Sequence, residues 1–199
     1  DKWRPMTTES APLKRKGHTA IWTGSKMLIW GGEDSTGIQN TGWMYDPGNG
    51  AWTPINATDP NVPSARKNHT AVWTGSAMLI WGGEGSFDPL NTGGEYHLDN
   101  DRWASIPVTT ETPSARQYHT AVWGDAKMLI WGGEDIDLYV QNTGGMHDPV
   151  NQNWTAITDT EVLSPRQYHT AVWTGSKMLI WGGEDDMGDA VNTGGTFGR

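Results

Sequence analysis

One stretch of sequence occurs four times in this chain almost letter for letter, and it constrains the fold more than any other feature. Its first copy reads HTAIWTGSKMLIWGGE, and the copies begin at His18, His69, His119 and His169. A fixed period of about 50 residues predicts one supersecondary unit repeated along the chain. A residue present in all four copies is expected to serve the repeat, so recognition is sought among the residues that differ.

Each unit has the pattern of four short strands. In the second unit, residues 69–73 alternate and Thr74-Gly75-Ser76 supplies a tight turn, after which residues 78–81 form a continuous apolar run. Such a run is typical of a strand covered on both faces. A third strand is predicted through Tyr96 and a fourth around Trp103. Four antiparallel strands in about 50 residues indicate one blade of an all-β propeller.

The two ends of the chain predict how the array closes. The fourth-strand pattern around Trp52, Trp103 and Trp154 is missing after the last unit, whereas residues 2–6, Lys-Trp-Arg-Pro-Met, match it. We therefore expect the N-terminal strand to complete the last blade, which removes unpaired sheet edges. The prediction is a single propeller domain over residues 1–199, with four blades of four strands. Its repeats cover roughly residues 15–55, 66–106, 116–157 and 166–199 plus 1–6.

Composition excludes several classes of function. The chain has 199 residues, a net charge of −9 and no cysteine. The lack of cysteine excludes disulfides and thiolate metal sites. An acidic balance argues against nucleic acid or an anionic membrane as partner, and no apolar run approaches the roughly 18 to 20 residues of a membrane span. Twelve of the 13 tryptophans fall on three positions of the repeat, which indicates packing between blades; Trp43 is the exception.

The units resemble kelch repeats, in the form found in bacterial proteins. The resemblance rests on an R-x-x-H entry, the double glycine after the second strand, the turn Tyr45-Asp46-Pro47 and the tryptophan of the fourth strand. It implies a secreted or periplasmic protein without a cofactor. Kelch propellers usually have six or so blades. The four units therefore close as a four-bladed monomer, join a second chain as a homodimer, or belong to a longer or engineered propeller.

The resemblance also implies that the loops before the first strand and after the second emerge on one face. Four arginines would then ring the mouth of the central channel and could bind a carboxylate or phosphate: Arg15, Arg66, Arg116 and Arg166. The simpler interpretation pairs them with the glutamates after the double glycine, Glu33, Glu84, Glu134 and Glu184. The repeated histidines suggest a metal ring, but their phase with the buried tryptophans favours a structural role, and we expect no metal.

The loops after the double glycine are acidic. Asp185, Asp186 and Asp189 come closest to a calcium site, but the D-x-D-x-D-G pattern is missing. A solvated acidic rim that favours a basic partner is the better interpretation.

Residues that break the repeat are the better candidates for recognition. Aromatic and apolar side chains without counterparts in the other units occur at Phe87, Tyr139, Met187 and Trp43, while Tyr118 and Tyr168 replace Gly17 and Asn68 before the repeated histidine. Exposed aromatic residues on loops of a rigid scaffold are common in binding sites. The alternative is that they fill local gaps beside their own loops.

These observations predict a non-catalytic binding or scaffolding module that holds a protein segment or a glycan at the channel mouth. Two alternatives stay open. One is a sugar-modifying kelch enzyme, similar to a sialic-acid epimerase, which would use arginine and acidic residues at the mouth. The other is a propeller scaffold with no ligand.

Overall fold

A computed structural model describes residues 1–158 and 163–198; Arg199, the end of the predicted fourth repeat, lies outside them. These residues form strands and no helix, so none of them forms a helix that could cross a membrane. The prediction of an all-β fold built from four-stranded antiparallel sheets is confirmed. Blade 1 contains β1 (Thr19–Trp22), β2 (Met27–Trp30), β5 (Gly42–Asp46) and β6 (Ala51–Pro54). A small hairpin, β3 (Glu33–Asp34) and β4 (Gly37–Ile38), lies between β2 and β5.

The next blades repeat the same order of strands. Blade 2 contains β7 (Thr70–Trp73), β8 (Ala77–Trp81), β9 (Gly93–His97) and β10 (Arg102–Ile106). Blade 3 contains β11 (Thr120–Gly124), β12 (Lys127–Trp131), β13 (Gly144–Asp148) and β14 (Asn153–Ile157). Blade 4 contains β15 (Thr170–Trp173), β16 (Lys177–Trp181) and β17 (Gly194–Gly198). The first strands of the blades, β1, β7, β11 and β15, lie side by side in this order and line the centre.

The hydrophobic core lies in the seams between neighbouring blades. The second strand of each blade supplies most of it, and all five residues of β8 are buried. At each of the three seams a tryptophan packs against the edge of a histidine ring from the next blade: Trp30 on His69, Trp81 on His119 and Trp131 on His169, each with centroids 5.3 Å apart. These tryptophans and histidines recur in all four units because every seam needs the same pair.

The predicted closure of the ring is absent from this structure. Residues 1–8 contain no strand, and blade 4 has three strands within the described part of the chain. Trp181 is 61% exposed, whereas its counterpart Trp81 is fully buried, because no histidine of a following blade covers it. The four blades therefore form an open series, with one uncovered face on blade 1 and one on blade 4. N-terminal strand addition to the chain's own last blade is thus not observed.

The second glycine of each double glycine brings two blade segments into close contact. Gly83 has φ +89°, and a Cβ there would lie 2.5 Å from the Lys67 carbonyl oxygen and 2.7 Å from the His69 Cβ. Gly75 has a similar φ of +103° in a turn, with open space around it. Both need a left-handed backbone, but only Gly83 lacks room for a side chain.

We expect Gly83→Ala to lower the free energy of unfolding by about 1–3 kcal/mol more than Gly75→Ala does. Both substitutions carry the cost of a left-handed alanine, about 1–2 kcal/mol, and overpacking adds about 1–3 kcal/mol at Gly83 alone. Urea denaturation followed by tryptophan fluorescence measures the difference. Equal losses in the two variants would show that backbone conformation, and not the close contact, makes the double glycine necessary.

Candidate binding face at the channel mouth

Two loops of each blade meet at one end of the innermost strands. The Lys16 amide donates to the Glu33 carbonyl oxygen at 3.0 Å and the Glu33 amide donates back at 2.8 Å. The same bridge joins Lys67 to Glu84, Gln117 to Glu134 and Gln167 to Glu184. The loop before the first strand and the loop after the second strand therefore share one face, as the kelch resemblance implied. We call this face the mouth.

The repeated arginines lie beneath the mouth and face the backbone. Arg66 is fully buried, and its Nη1 donates to the carbonyl oxygens of Gly82 at 3.0 Å and Thr92 at 2.6 Å. Its Nε donates to the Ser64 carbonyl oxygen, and its Nη2 donates to the Ser64 and Thr92 hydroxyls. Arg116 and Arg166 repeat this arrangement. Burial lowers the pKa of Arg66 and Arg116 to about 10, so both stay charged at neutral pH.

This arrangement corrects the interpretation of the arginine ring. Neither a bound anion nor pairing with the mouth glutamates explains Arg66, Arg116 and Arg166, because their donors are taken up by backbone and hydroxyl oxygens within their own blades. Each guanidinium ties the loop before the first strand to the end of the second strand and the start of the third. We therefore leave these three arginines out of the binding face.

Arg15 makes the same hydrogen bonds from Nη1, to the carbonyl oxygens of Gly31 at 2.8 Å and Thr41 at 3.2 Å, and it has two further contacts. The Arg15 Cζ lies 4.8 Å from the centroid of the Trp43 ring, and its Nη2 lies 3.8 Å from a carboxylate oxygen of Asp34. In blades 2 and 3 the position of Trp43 is a glycine, Gly94 or Gly145, and a proline of the preceding loop occupies the space that a side chain would need. Trp43 is thus the cation–π partner of Arg15 within blade 1.

The repeated histidines are held as neutral groups in the seams. The Nε2 atoms of His69, His119 and His169 form hydrogen bonds of 2.7–2.8 Å with threonine hydroxyls of the preceding blade. Burial lowers the pKa of His69 to about 3 and that of His169 to about 4, and it lowers the pKa of His119 well below its usual value. No cluster of three potential metal ligands occurs in the described residues.

The residue before each repeated histidine lies at the mouth in a left-handed conformation. The φ angles are 65° at Gly17, 56° at Asn68, 56° at Tyr118 and 54° at Tyr168. Glycine and asparagine adopt this conformation readily, but for a tyrosine it costs of the order of 1–2 kcal/mol and is held by the surrounding structure. Strain of this kind is often found at functional sites.

The two tyrosines form an aromatic ledge. Their ring centroids lie 4.4 Å apart at an interplanar angle of 38°, and the Tyr168 amide donates to the Tyr118 carbonyl oxygen at 3.2 Å. The Asn68 side-chain amide donates to the Tyr118 hydroxyl at 3.2 Å, which fixes the inner ring. Tyr168 is 53% exposed and forms the open end of the ledge.

The charge of the mouth differs between its two halves. Lys67 lies between the carboxylates of Glu33 and Glu84, at 3.4 and 3.6 Å. The hydrogen bond and charge of Lys67 lower the pKa of Glu33. Blades 3 and 4 carry Gln117 and Gln167 in place of the lysines.

As a result, the ledge lies beside unneutralised carboxylates. Glu134 accepts a hydrogen bond from the Gln117 amide at 3.3 Å, and no ion pair of Glu134 or Glu184 occurs among the described residues. Burial, followed by the hydrogen bond with Tyr118 and the charges of Glu134 and Glu184, raises the pKa of Tyr168 above its usual value. The half of the mouth in blades 3 and 4 is therefore both aromatic and anionic. We call it the ledge site: Tyr118, Tyr168, Glu134 and Glu184.

The acidic loop residues shape the loop tips. The Asp135 Oδ1 accepts hydrogen bonds from the amides of Asp137 and Tyr139, both at 3.0 Å. Asp185 holds its loop in the same way, through the amides of Met187 and Asp189. The Val140 amide donates to an Asp186 carboxylate oxygen at 2.9 Å and joins the tips of blades 3 and 4.

The loop tips of blades 2, 3 and 4 present apolar side chains to solvent. Phe87 is 93% exposed, Met187 84% and Tyr139 65%. They do not fill gaps beside their loops, which was the alternative interpretation of these residues. Sequence comparison between the units identified them as exceptions to the repeat, but it did not reveal Glu134 and Glu184 as site residues, because glutamate occurs there in every unit. The sequence feature that could have indicated Glu134 and Glu184 is the glutamine at positions 117 and 167, where the first two units have lysine.

Comparison with known proteins agrees with this architecture. The sequence model of a family described as the attractin/LZTR1 β-propeller matches residues 1–196. Human Kelch domain-containing protein 2 is 30% identical over 100 residues, which cover 46% of this chain and 24% of that protein. Human Kelch domain-containing protein 3 is 35% identical over 74 residues, 36% of this chain and 19% of that protein. Drosophila melanogaster host cell factor is 28% identical over 99 residues, 42% of this chain and 7% of that protein. The matched stretches span less than a quarter of each relative's length.

Proposed function

This chain belongs to the attractin/LZTR1 β-propeller family of kelch type, and we propose that it is a non-catalytic module that binds a basic protein segment at the channel mouth. Its similarity to kelch-domain proteins supports a binding or scaffolding role. The observation that carries the proposal is the ledge site, where the stacked rings of Tyr118 and Tyr168 lie beside Glu134 and Glu184 without a cationic partner. The ligand group would be an arginine or lysine side chain of the segment.

The chemistry of the ledge site fits a cation better than an anion or a neutral sugar. A guanidinium over an exposed tyrosine gains about 0.5–1 kcal/mol, and more where water is excluded. A carboxylate within reach adds a charge-assisted hydrogen bond, and the net charge of −9 draws basic segments toward the protein. The exposed Phe87, Tyr139 and Met187 would provide apolar contacts for residues that flank the cation.

The hydrogen bonds of the buried arginines support binding without catalysis. A sugar-modifying enzyme at this mouth would need arginines free to meet the substrate, and Arg66, Arg116 and Arg166 are bound to the backbone. The secreted or periplasmic location and the bacterial origin stay predictions from the sequence.

We expect the chain to bind a peptide of alternating arginine and glycine, and Tyr168→Ala to weaken that binding about fivefold to tenfold. The substitution removes the cation–π contact, which contributes about 1 kcal/mol to the binding free energy, and it removes the outer ring of the ledge. Isothermal titration calorimetry at low and at physiological salt measures it, and the affinity should fall as salt rises. Glu134→Gln should weaken binding by a similar factor, because it removes a carboxylate and leaves the ledge intact.

Tyr45→Ala serves as the matched control, because Tyr45 stacks on Trp52 within blade 1 and away from the ledge site. A peptide of alternating glutamate and glycine controls for non-specific attraction. Binding that is equal in wild type, Tyr168→Ala and Glu134→Gln would contradict the proposal. Saturable binding of a neutral oligosaccharide that Tyr168→Ala abolishes would assign the mouth to a glycan.

A further inference from the structure

The two uncovered faces of the blade series are the two halves of one seam. In the seam between blades 3 and 4, Gly133 donates its amide hydrogen to the Arg166 carbonyl oxygen at 2.9 Å, and the Thr120 hydroxyl forms a hydrogen bond with His169 at 2.7 Å. The open face of blade 4 carries the equivalents of the blade-3 residues in this seam, namely Gly183, Thr170 and Trp181. The Thr170 hydroxyl, without a histidine, donates instead to the Trp181 carbonyl oxygen at 3.3 Å.

Blade 1 presents the matching side. His18 lies exposed at the start of β1, whereas its counterparts His69, His119 and His169 are each only 5% exposed. Trp22, on the same strand, is 54% exposed. The open face of blade 1 therefore carries the groups that the open face of blade 4 lacks.

The N-terminal segment already lies where a fourth strand of a preceding blade would lie. The Trp52 indole donates to the Thr7 carbonyl oxygen at 3.1 Å, and the Trp154 indole donates to the Pro107 carbonyl oxygen at the same distance. Pro107 directly follows β10, the fourth strand of blade 2. By this equivalence, residues 2–6 lie beside blade 1 in the place of a preceding blade's fourth strand, although they form no strand in a single copy. Trp3 is fully exposed there.

Blade 4 has no fourth strand within the described part of the chain, so its seam with blade 3 lacks a fourth-strand tryptophan. Trp154 of β14 packs 5.6 Å from Trp81 in the seam between blades 2 and 3, and Trp103 packs 5.5 Å from Trp30 in the seam before it. At the same place between blades 3 and 4 there is a cavity of about 130 Å³ whose lining includes Trp131, Ile157, Met178 and Phe197. The cavity marks the position of a missing fourth-strand tryptophan.

We infer that two copies of this chain pair head to tail and that each copy's residues 2–6 add to β17 of the other as the fourth strand of blade 4. In the register of blade 2, where Trp103 lies opposite Tyr96, the incoming Trp3 lies opposite Phe197 and enters the cavity beside Trp131. Pro5 takes the position that Pro54 occupies at the outer edge of blade 1, where a missing amide donor is tolerated.

A second copy fits these faces better than the chain's own N-terminus does. Residue 7 is held on blade 1 by Trp52, and the open face of blade 4 lies at the far end of the series, beyond blades 2 and 3. Two equal head-to-tail seams close a pair of four-blade arcs into one ring. The ring would have eight blades, within the known range of about four to eight for propellers.

Light scattering behind a sizing column tests the inference on the unmodified chain. We expect a mass of twice 21.9 kDa, and Trp3→Ala should weaken the dimer at least tenfold and shift the mass toward the monomer. Because Trp3 is fully exposed in a single copy, the substitution leaves the folding of the monomer unchanged. Phe87→Ala removes an equally exposed aromatic ring at a loop tip and should leave the mass unchanged.

Gly182→Ala provides an independent test. Gly182 and Gly132 share a φ of about 70°, but a Cβ at Gly132 would lie 2.5 Å from the His169 ring, whereas a Cβ at Gly182 has no neighbour closer than 3.8 Å. In the head-to-tail dimer it would meet the other copy's His18, so Gly182→Ala should also favour the monomer. A 21.9 kDa species at every concentration, or a dimer unaffected by both Trp3→Ala and Gly182→Ala, would overturn the inference.

Discussion

Arg116→Met is expected to lower the free energy of unfolding by about 3–5 kcal/mol, because it leaves three buried carbonyl oxygens without their donor. The guanidinium donates to the carbonyl oxygens of Gly132 at 2.9 Å, Thr143 at 2.8 Å and Ser114 at 3.1 Å. Methionine fills a similar volume but has no donor for these oxygens. Each buried acceptor left without a partner costs about 1–3 kcal/mol.

The measurement is urea denaturation at neutral pH, with Arg102→Met as the control. The Arg102 side chain is 67% exposed and lies 3.8 Å from Asp59, so its loss should cost no more than about 1 kcal/mol. Arg116→Lys should recover less than half of the loss, because an ammonium cannot reproduce the fork of donors. If Arg116→Met and Arg102→Met were equally stable, the buried arginine would not be a structural anchor.

The arginines also show what the sequence can and cannot predict. The period of the repeat predicted the blades and their strands, because every unit carries the same alternation and the same turn residues. It did not predict whether Arg116 faces a ligand or the backbone, since burial depends on how loops from two parts of a blade meet. A residue common to all four units is expected to serve the repeat. For Arg116, this expectation agrees with the structural role described above.

The ends of the chain were harder to predict than its middle for a related reason. Trp81 and Trp181 have the same neighbours in sequence, yet Trp81 is buried and Trp181 is 61% exposed. The difference lies in the next blade, which local sequence does not encode. Tyr118 and Tyr168, in contrast, could be found from the sequence because they depart from the repeat, although their stacking and their strained backbone needed coordinates.

We expect the protein to lose stability steeply when the pH falls from 6.5 to 5, earlier than its carboxylates alone would require. His69, His119 and His169 are buried without charge, and desolvation lowers the pKa of each below the usual 6.5, to about 3 for His69 and about 4 for His169. The unfolded chain therefore binds protons in this range that the folded chain does not.

The direction follows from proton linkage. A histidine whose folded pKa is lowered contributes its stability fully above pH 6.5 and loses it as the pH falls toward the folded value, because the unfolded state binds more protons. Each such histidine contributes a slope of about 1.4 kcal/mol per pH unit once the pH is well below 6.5. Three of them together approach about 4 kcal/mol per unit, so the loss between pH 6.5 and 5 is about 5 kcal/mol, comparable to the whole stability of a marginally stable domain.

Other groups modify this slope without reversing it. The pKa values of His18 and His147 are also lowered and act in the same direction. The lowered pKa values of Glu33, Asp59 and Asp148 add to the loss only below about pH 4.5. Burial raises the pKa of Glu95, which acts in the opposite direction just above pH 4.5. Between pH 6.5 and 5 the seam histidines therefore dominate.

The slope of unfolding free energy against pH, from urea denaturation at intervals between pH 7 and 5, measures the effect. His119→Gln should be less stable than wild type at pH 7, because it disturbs the seam, yet its slope should be shallower by the contribution of one histidine. Only a titrating group in the seam predicts both a lower stability and a flatter pH dependence in the same variant, so parallel curves for wild type and His119→Gln would contradict the linkage.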